Sequence, residues 1–461
     1  MVTTVARKFA EFAVNLKYDD IPSETVREVK RFLLDSIGCA LRGCLSEDFA
    51  ILVKVLDELG GTPEATIIGS GSKTNCYNAA LANSLLIRAL DYNDIYWKQD
   101  PSHPSDLIPA ALSVGERENK SGKDLIAAMI IGYELEMRLC ESAIPGIRER
   151  KWHHASLTQF VSPVVAGKML DLNVDQMCNA IGISGIHNFT LGAVAAGKLS
   201  MVKNIADPLA VQSGVMAALM AKKGFTGPEA VFEGKEGLVD TIGGRWDMDV
   251  MTKTLERFKI MECSMKPFPT EGLTHSPITA TLTLLNRHSI MPEEIEGVVV
   301  RTISRAADIL ADPSKYTPTS KETADHSLPY CIAAAIVDRK VTLDQFTKTK
   351  LNDDRIRSVI RKVKVVADPE LEKLFPELAT AIVEVTCKDQ RCFTERVDFP
   401  KGNPKNRMSD EEVLTKFHTN ALSVVSEERE KAIISKIMNL ENLQIHELTQ
   451  LLAMEIPITR S

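Results

Sequence analysis

The sequence predicts a mainly α protein, with a large all-α domain formed by both chain ends (residues 1–263 and 400–461) and a smaller α+β domain at 264–399. Three observations carry this expectation. Apolar residues recur every three to four positions through most of the first half; after Cys263, short β-branched runs appear between helical stretches; and beyond Pro400–Pro404 the helical spacing returns. The inserted segment of about 130 residues is a usual domain size.

The first long helix is announced by Ile21-Pro22-Ser23-Glu24, followed by Val26, Val29, Leu33, Ile37 and Ala40 on one face. Asn78 to Tyr92, Asp124 to Arg138, Ser156 to Leu170 and Pro208 to Lys223 carry small residues on nearly every turn, which predicts closely packed, buried helices. Lys266-Pro267-Phe268-Pro269 ends this texture. Strands are expected near Gly297–Ser304, Lys362–Ala367, Ala381–Lys388 and Cys392–Phe399, and Ser409-Asp410-Glu411-Glu412 reads as the start of a helical tail.

Composition narrows the function. With 461 residues, 55 Lys+Arg and 62 Asp+Glu, the net charge of −7 leaves no overall basic field for a nucleic acid. The apolar stretch Leu125–Tyr133 falls well short of the ~20 residues that span a bilayer. Met1 to Ala10 alternates charged and apolar residues, so neither a secretory signal nor a membrane partner is expected. Nine cysteines, an odd number without C-x-x-C, read as reduced core thiols of a cytoplasmic protein. The nine histidines and nine cysteines never fall at zinc spacing, and no metal or other cofactor is expected. Gly69-Ser70-Gly71-Ser72-Lys73 lacks phosphate-loop spacing and reads as a turn beside a strand.

The richest polar segment is Asp91-Tyr92-Asn93-Asp94 followed by His103-Pro104-Ser105-Asp106. Three acids and a histidine beside an apolar helix would carry a heavy desolvation cost, which favours a functional role over a plain Asx-rich turn. His153 and His154 precede another apolar helix, where one imidazole would ordinarily be a cap or core residue and two make a proton carrier plausible. Spacing alone makes Lys203 and Lys266 solvated lysines, and makes Glu322–Tyr330 a helix start.

Those segments, with Met201-Val202-Lys203, Gly224-Phe225-Thr226-Gly227-Pro228, Phe232-Glu233-Gly234-Lys235 and Lys266-Pro267-Phe268-Pro269-Thr270-Glu271, resemble the MmgE/PrpD family in order and spacing over nearly the whole chain. The resemblance implies a helical domain with a smaller α+β lid, a homodimer, no metal, and a small tri- or dicarboxylate substrate. It is nearest to the 2-methylcitrate dehydratase branch, through Asp106 and Glu271, while Ile95 stands where the family usually has threonine. The implied reaction is dehydration of 2-methylcitrate or a related tricarboxylate. Cis-aconitate decarboxylation, dicarboxylate epimerisation and a silent carboxylate-binding role are the alternatives. By the same resemblance, Lys203 and Lys266 hold carboxylates, and His103 with His154 or His153 moves protons. Asp91 orients a histidine or serves as the acid, while Asn93, Asp94, Ser105, Glu271, His275, His326 and Tyr330 contact substrate.

Overall fold

Helix α1 (Ser23–Gly43) begins directly after Pro22, whose fixed φ and missing N–H suit a helix start. In the computed structural model, which describes residues 3–187, 189–196, 199–253 and 257–456, the chain divides into two units. The larger comprises Met1–Val194, Val202–Cys263 and Ser409–Ser461; the smaller comprises Ala195–Met201 and Ser264–Met408. The segment around Pro400–Pro404 belongs with the smaller unit, where the Met265 N–H donates to the Gly402 carbonyl at 3.1 Å.

In the larger unit, α2 (Cys76–Arg88) is buried on almost every side, because its Ala, Leu and Ser side chains let neighbours approach from all directions. After it come the short strands β1 (Asp94–Trp97) and β2 (Pro101–Ser102), which pair antiparallel. The larger unit is therefore not wholly α. Helix α3 (Gly122–Ser142) starts at a capping box in which the Ser121 hydroxyl accepts from the Asp124 N–H and the Asp124 carboxylate accepts from the Ser121 N–H. Helices α4 (Ala155–Met169) and α5 (Val202–Lys222) pack face to face, and α5 also packs on α2. Gly214 permits the approach of α4 and α5, since a Cβ there would stand 1.9 Å from Ser162 Oγ.

In the smaller unit, β3 (Ile295–Thr302), β4 (Val363–Ala367), β5 (Ala381–Cys387) and β6 (Cys392–Val397) form one sheet in the order β6-β5-β3-β4. The β3–β4 pair is parallel and the other two are antiparallel. Ala381, Val383, Val385 and Cys387 alternate into the core, as a sheet covered on one face requires. Helix α6 (His275–His288) packs on β5 and β6 and contacts α7 (Leu328–Asp338), whose Ser327 cap accepts from the Tyr330 N–H. The strands fall where β-branched runs predict them.

The C-terminal return to the larger unit is α8 (Asp410–Ala421), opened by the expected Ser409–Glu412 capping box and packed on α1. Eight of the nine cysteines are buried and reduced; Cys392, on the edge strand β6, is exposed, contrary to the expectation of core thiols throughout. No helix among the described residues is long and apolar enough to cross a membrane. Gly214→Ala is expected to lower unfolding free energy by about 1–3 kcal/mol through overpacking of α4 against α5; a denaturant midpoint equal to the wild type would show that the helices part freely.

Candidate active site

Helix α2 ends by burying a cation. Arg88 is 3% exposed, and its Nη1 lies 2.5 Å from Asp91 Oδ1, its Nε 3.6 Å from Asp106 Oδ2 and 3.9 Å from Asp207 Oδ2. Burial opposes its charge, but these three carboxylates outweigh that cost and raise its pKa. Asp91 reaches Arg88 because the chain turns sharply: its φ is +51°, a left-handed conformation that aspartate tolerates better than most residues. Lys203, near the start of α5, is buried too and lies 3.3 Å from the same Asp91 oxygen. Neither lysine behaves as the solvated group spacing alone suggests, since Lys266 is also buried, in the smaller unit.

The loop after β2 is stitched to the start of β1. Asp94 accepts from the Ser105 hydroxyl at 2.6 Å and the Ser105 N–H at 3.1 Å, while the Asn93 amide donates to Ser105 Oγ and Asp106 Oδ1. Burial lifts the Asp94 carboxyl to about 6 against the pull of its hydrogen bonds to Ser105 and Tyr133. His103 Nδ1 lies 2.6 Å from the Asp94 carbonyl oxygen. A carbonyl only accepts, so Nδ1 carries the hydrogen and the neutral ring has its lone pair on Nε2.

The histidine pair resolves into two different environments. His153 is held by its backbone N–H to the Thr190 carbonyl (2.8 Å), and its Nδ1 accepts from the Ala155 N–H (3.3 Å). Burial, then the neighbouring His154, drives its pKa well down, so it stays neutral. His154 caps α4 and places Nε2 3.4 Å from Asp207 Oδ2. Burial alone would raise the Asp207 carboxyl, but His154, His153 and Arg88 together pull it down and keep it ionised. Ring centroids of His103 and His154 are 5.5 Å apart. His153, His154 and Asp207 offer ligand atoms within 4.8 Å of one another. Their surroundings suit protons better than a cation, because the Ala155 N–H occupies His153 Nδ1 and Arg88 already faces Asp207.

Sequence reading overlooked Arg88, Asp207 and Glu136. Arg88 is the one charge of α2, an Ala- and Leu-rich helix with no polar face, a pattern that signals burial. Asp207 shares α5 with Lys203 and Lys222, and Glu136 shares α3 with Glu134 and Arg138, so the sequence carries no such signal for those two. Glu136 on α3 accepts from Ser102 and Thr158 hydroxyls, both at 2.8 Å, and Thr158 Oγ1 is also 3.3 Å from Asp207 Oδ1. Burial raises the Glu136 carboxyl to about 8; the two hydroxyls oppose this, and Asp207 and Asp94 add to it.

Asp91, Asn93, Asp94, His103, Ser105, His153, His154 and Lys203 thus converge in the larger unit, while the remaining expected residues lie in the smaller one. There Glu271 accepts from the Leu273 N–H (2.7 Å), and His275 Nε2 lies 3.2 Å from the Thr270 carbonyl. His326 Nδ1 meets Asp325 Oδ1 at 2.6 Å, and the Tyr330 hydroxyl donates to the Gln345 carbonyl at 2.5 Å.

Residues 7–251 match the MmgE/PrpD N-terminal domain and residues 268–442 the MmgE/PrpD C-terminal domain. The chain is 28% identical to a cis-aconitate decarboxylase of Aspergillus terreus, over 95% of this chain and 94% of that one. It is 24% identical to the cis-aconitate decarboxylase of Mus musculus (96% and 92% covered) and 25% identical to the mitochondrial 2-methylcitrate dehydratase of Yarrowia lipolytica (97% and 89%).

The Glu136 carboxyl ionises at an ordinary 4.5 when unfolded and about 8 when folded, so between these values the folded state holds the extra proton. Its contribution to stability is full below the lower value and lost as pH rises through the upper one. Glu136→Gln, which keeps the shape of the neutral acid, is expected to gain melting temperature relative to wild type between pH 5 and 8.5, about the window of that titration. Parallel melting curves across that range would contradict the assignment.

Proposed function

Because the chain belongs to the MmgE/PrpD family, we propose that it is a hydro-lyase that dehydrates 2-methylcitrate, or a closely related tricarboxylate such as citrate, to the cis-aconitate-type product. The observation that carries this reading is the pair of imidazoles 5.5 Å apart and differently held. Elimination of water needs a base and an acid together, whereas decarboxylation needs only an acid to quench the carbanion left by departing carbon dioxide.

His103 Nε2, with its lone pair, takes the proton from the carbon next to a carboxylate. The C–H electron pair becomes the new double bond as the C–O bond breaks. His154, whose Nε2 lies beside the Asp207 carboxylate, gives a proton to the departing hydroxyl, which leaves as water. Arg88 and Lys203 supply the positive charge that a carboxylate needs as it takes on enediolate character. Asp91 orients the two cations. Two cations flank its carboxylate, which suits an orienting group better than the acid role considered from sequence.

Decarboxylation of cis-aconitate is the second reading, favoured by the 28% identity to the Aspergillus terreus decarboxylase. Purified protein incubated separately with 2-methylcitrate, citrate and cis-aconitate, with products identified by NMR, tests both. An alkene formed from 2-methylcitrate or citrate supports dehydration; carbon dioxide released from cis-aconitate alone replaces it with the second reading, and no product from any substrate removes both. On the active substrate, His103→Gln is expected to lower kcat by ~100- to 10,000-fold with an unchanged melting temperature.

A further inference from the structure

The helical tail reaches the turn that carries Asp91. Lys416 on α8 is 6% exposed, and its Nζ lies 2.6 Å from Asp35 Oδ1 on α1, itself 2% exposed. The same ammonium donates to the Tyr92 carbonyl at 2.7 Å and sits 4.0 Å from the centroid of the Tyr92 ring. A buried ion pair is a poor source of net stability compared with apolar side chains of the same volume. Its placement here is informative because Tyr92 follows the one residue of this turn with a left-handed backbone, Asp91 at φ +51°. Such a conformation persists only where its surroundings over-determine it. On its N-terminal side the turn is closed by the Asp91 N–H donating to the Arg88 carbonyl at 3.1 Å. On its C-terminal side the next carbonyl is held by Lys416.

We propose that Lys416 is a positioning residue: through the Tyr92 carbonyl it fixes the turn that presents Asp91 to Arg88 and Lys203, so the C-terminal helix completes the acid–base site. The inference rests on the function proposed above and extends it to a segment more than 300 positions away in sequence from the turn it holds. Asp35 anchors Lys416 and does not touch the turn in this account.

Lys416→Met leaves Asp35 buried without its partner and is expected to fold poorly, so the informative variant is the double substitution Asp35→Asn/Lys416→Met, which removes both charges. With the panel substrate that the wild type turns over, the double variant should melt close to wild type, with kcat down at least about tenfold and KM changed less than about threefold, because misplacement of a catalytic group weakens turnover more than binding. Asp35→Asn alone leaves Lys416 buried without its anion and is expected to lower the melting temperature, but the Lys416 donor to the Tyr92 carbonyl remains, so the folded protein should retain kcat within about threefold. Recovery of kcat together with the fold in the double variant would make Lys416 a purely structural residue and overturn the proposal; equal losses in Asp35→Asn and the double variant would overturn it too. Asp91→Asn, assayed alongside, separates the two readings. Wild-type turnover there removes Asp91 from the chemistry, whereas weak turnover there with full kcat in the double variant dismisses Lys416 alone.

Discussion

A guanidinium at the end of a buried helix has to be answered by negative charge, and most of the site follows from that need. Arg88 draws Asp91 from the turn that follows it, Asp106 from the loop after β2 and Asp207 from α5. Taking any one of these ions out of water costs several kcal/mol, so none is stable in the core alone. Together they fix the ends of three separate chain segments around one point. The excess of acid then settles protonation: Asp106, Asp94 and Glu136 are pushed up by burial, with Arg88 opposing this at Asp106 and hydroxyl donors opposing it at the other two. Asp207, next to the imidazoles and Arg88, remains ionised.

This charge pattern divides labour between histidines that are adjacent in sequence or in space. His103 is fixed from its Nδ1 side by a carbonyl, and His153 from its Nδ1 side by an N–H, so in their neutral forms the two rings carry their hydrogens on opposite nitrogens. His154 places its Nε2 3.4 Å from the Asp207 carboxylate, which stays charged. The resemblance left the choice between residues 153 and 154 open; the surroundings of each ring favour His154 as the proton donor.

Much of the fold was legible because its elements obey local rules. The Pro22-Ser23 start of α1, the Ser409–Glu412 box and the four strands of the smaller unit all follow from caps and alternation. The polar segment from Asp91 to Asp106 was legible as a candidate site from its crowding of acids. Its partners were not, because an Arg, Asp or Glu in a helix ordinarily marks the solvent face. Here α2 and α4 have no solvent face: their small side chains bring neighbours close all round, and the charge of Arg88 turns inward with nowhere else to go. Lys203 was misjudged for the same reason, since spacing says nothing of the Asp91 carboxylate brought to it by a left-handed turn.

The central claim is that neighbours preset the imidazoles for proton transfer before substrate arrives. Nitrogen-15 NMR of histidine-labelled protein, with His103→Gln and His153→Gln used to assign signals, tests it without any knowledge of the substrate. At a pH where both rings are neutral, the account predicts a hydrogen on Nδ1 and a lone pair on Nε2 for His103, and the reverse for His153. A His103 ring with its hydrogen on Nε2 would contradict it, because that ring would have no lone pair facing away from the Asp94 carbonyl with which to take a proton.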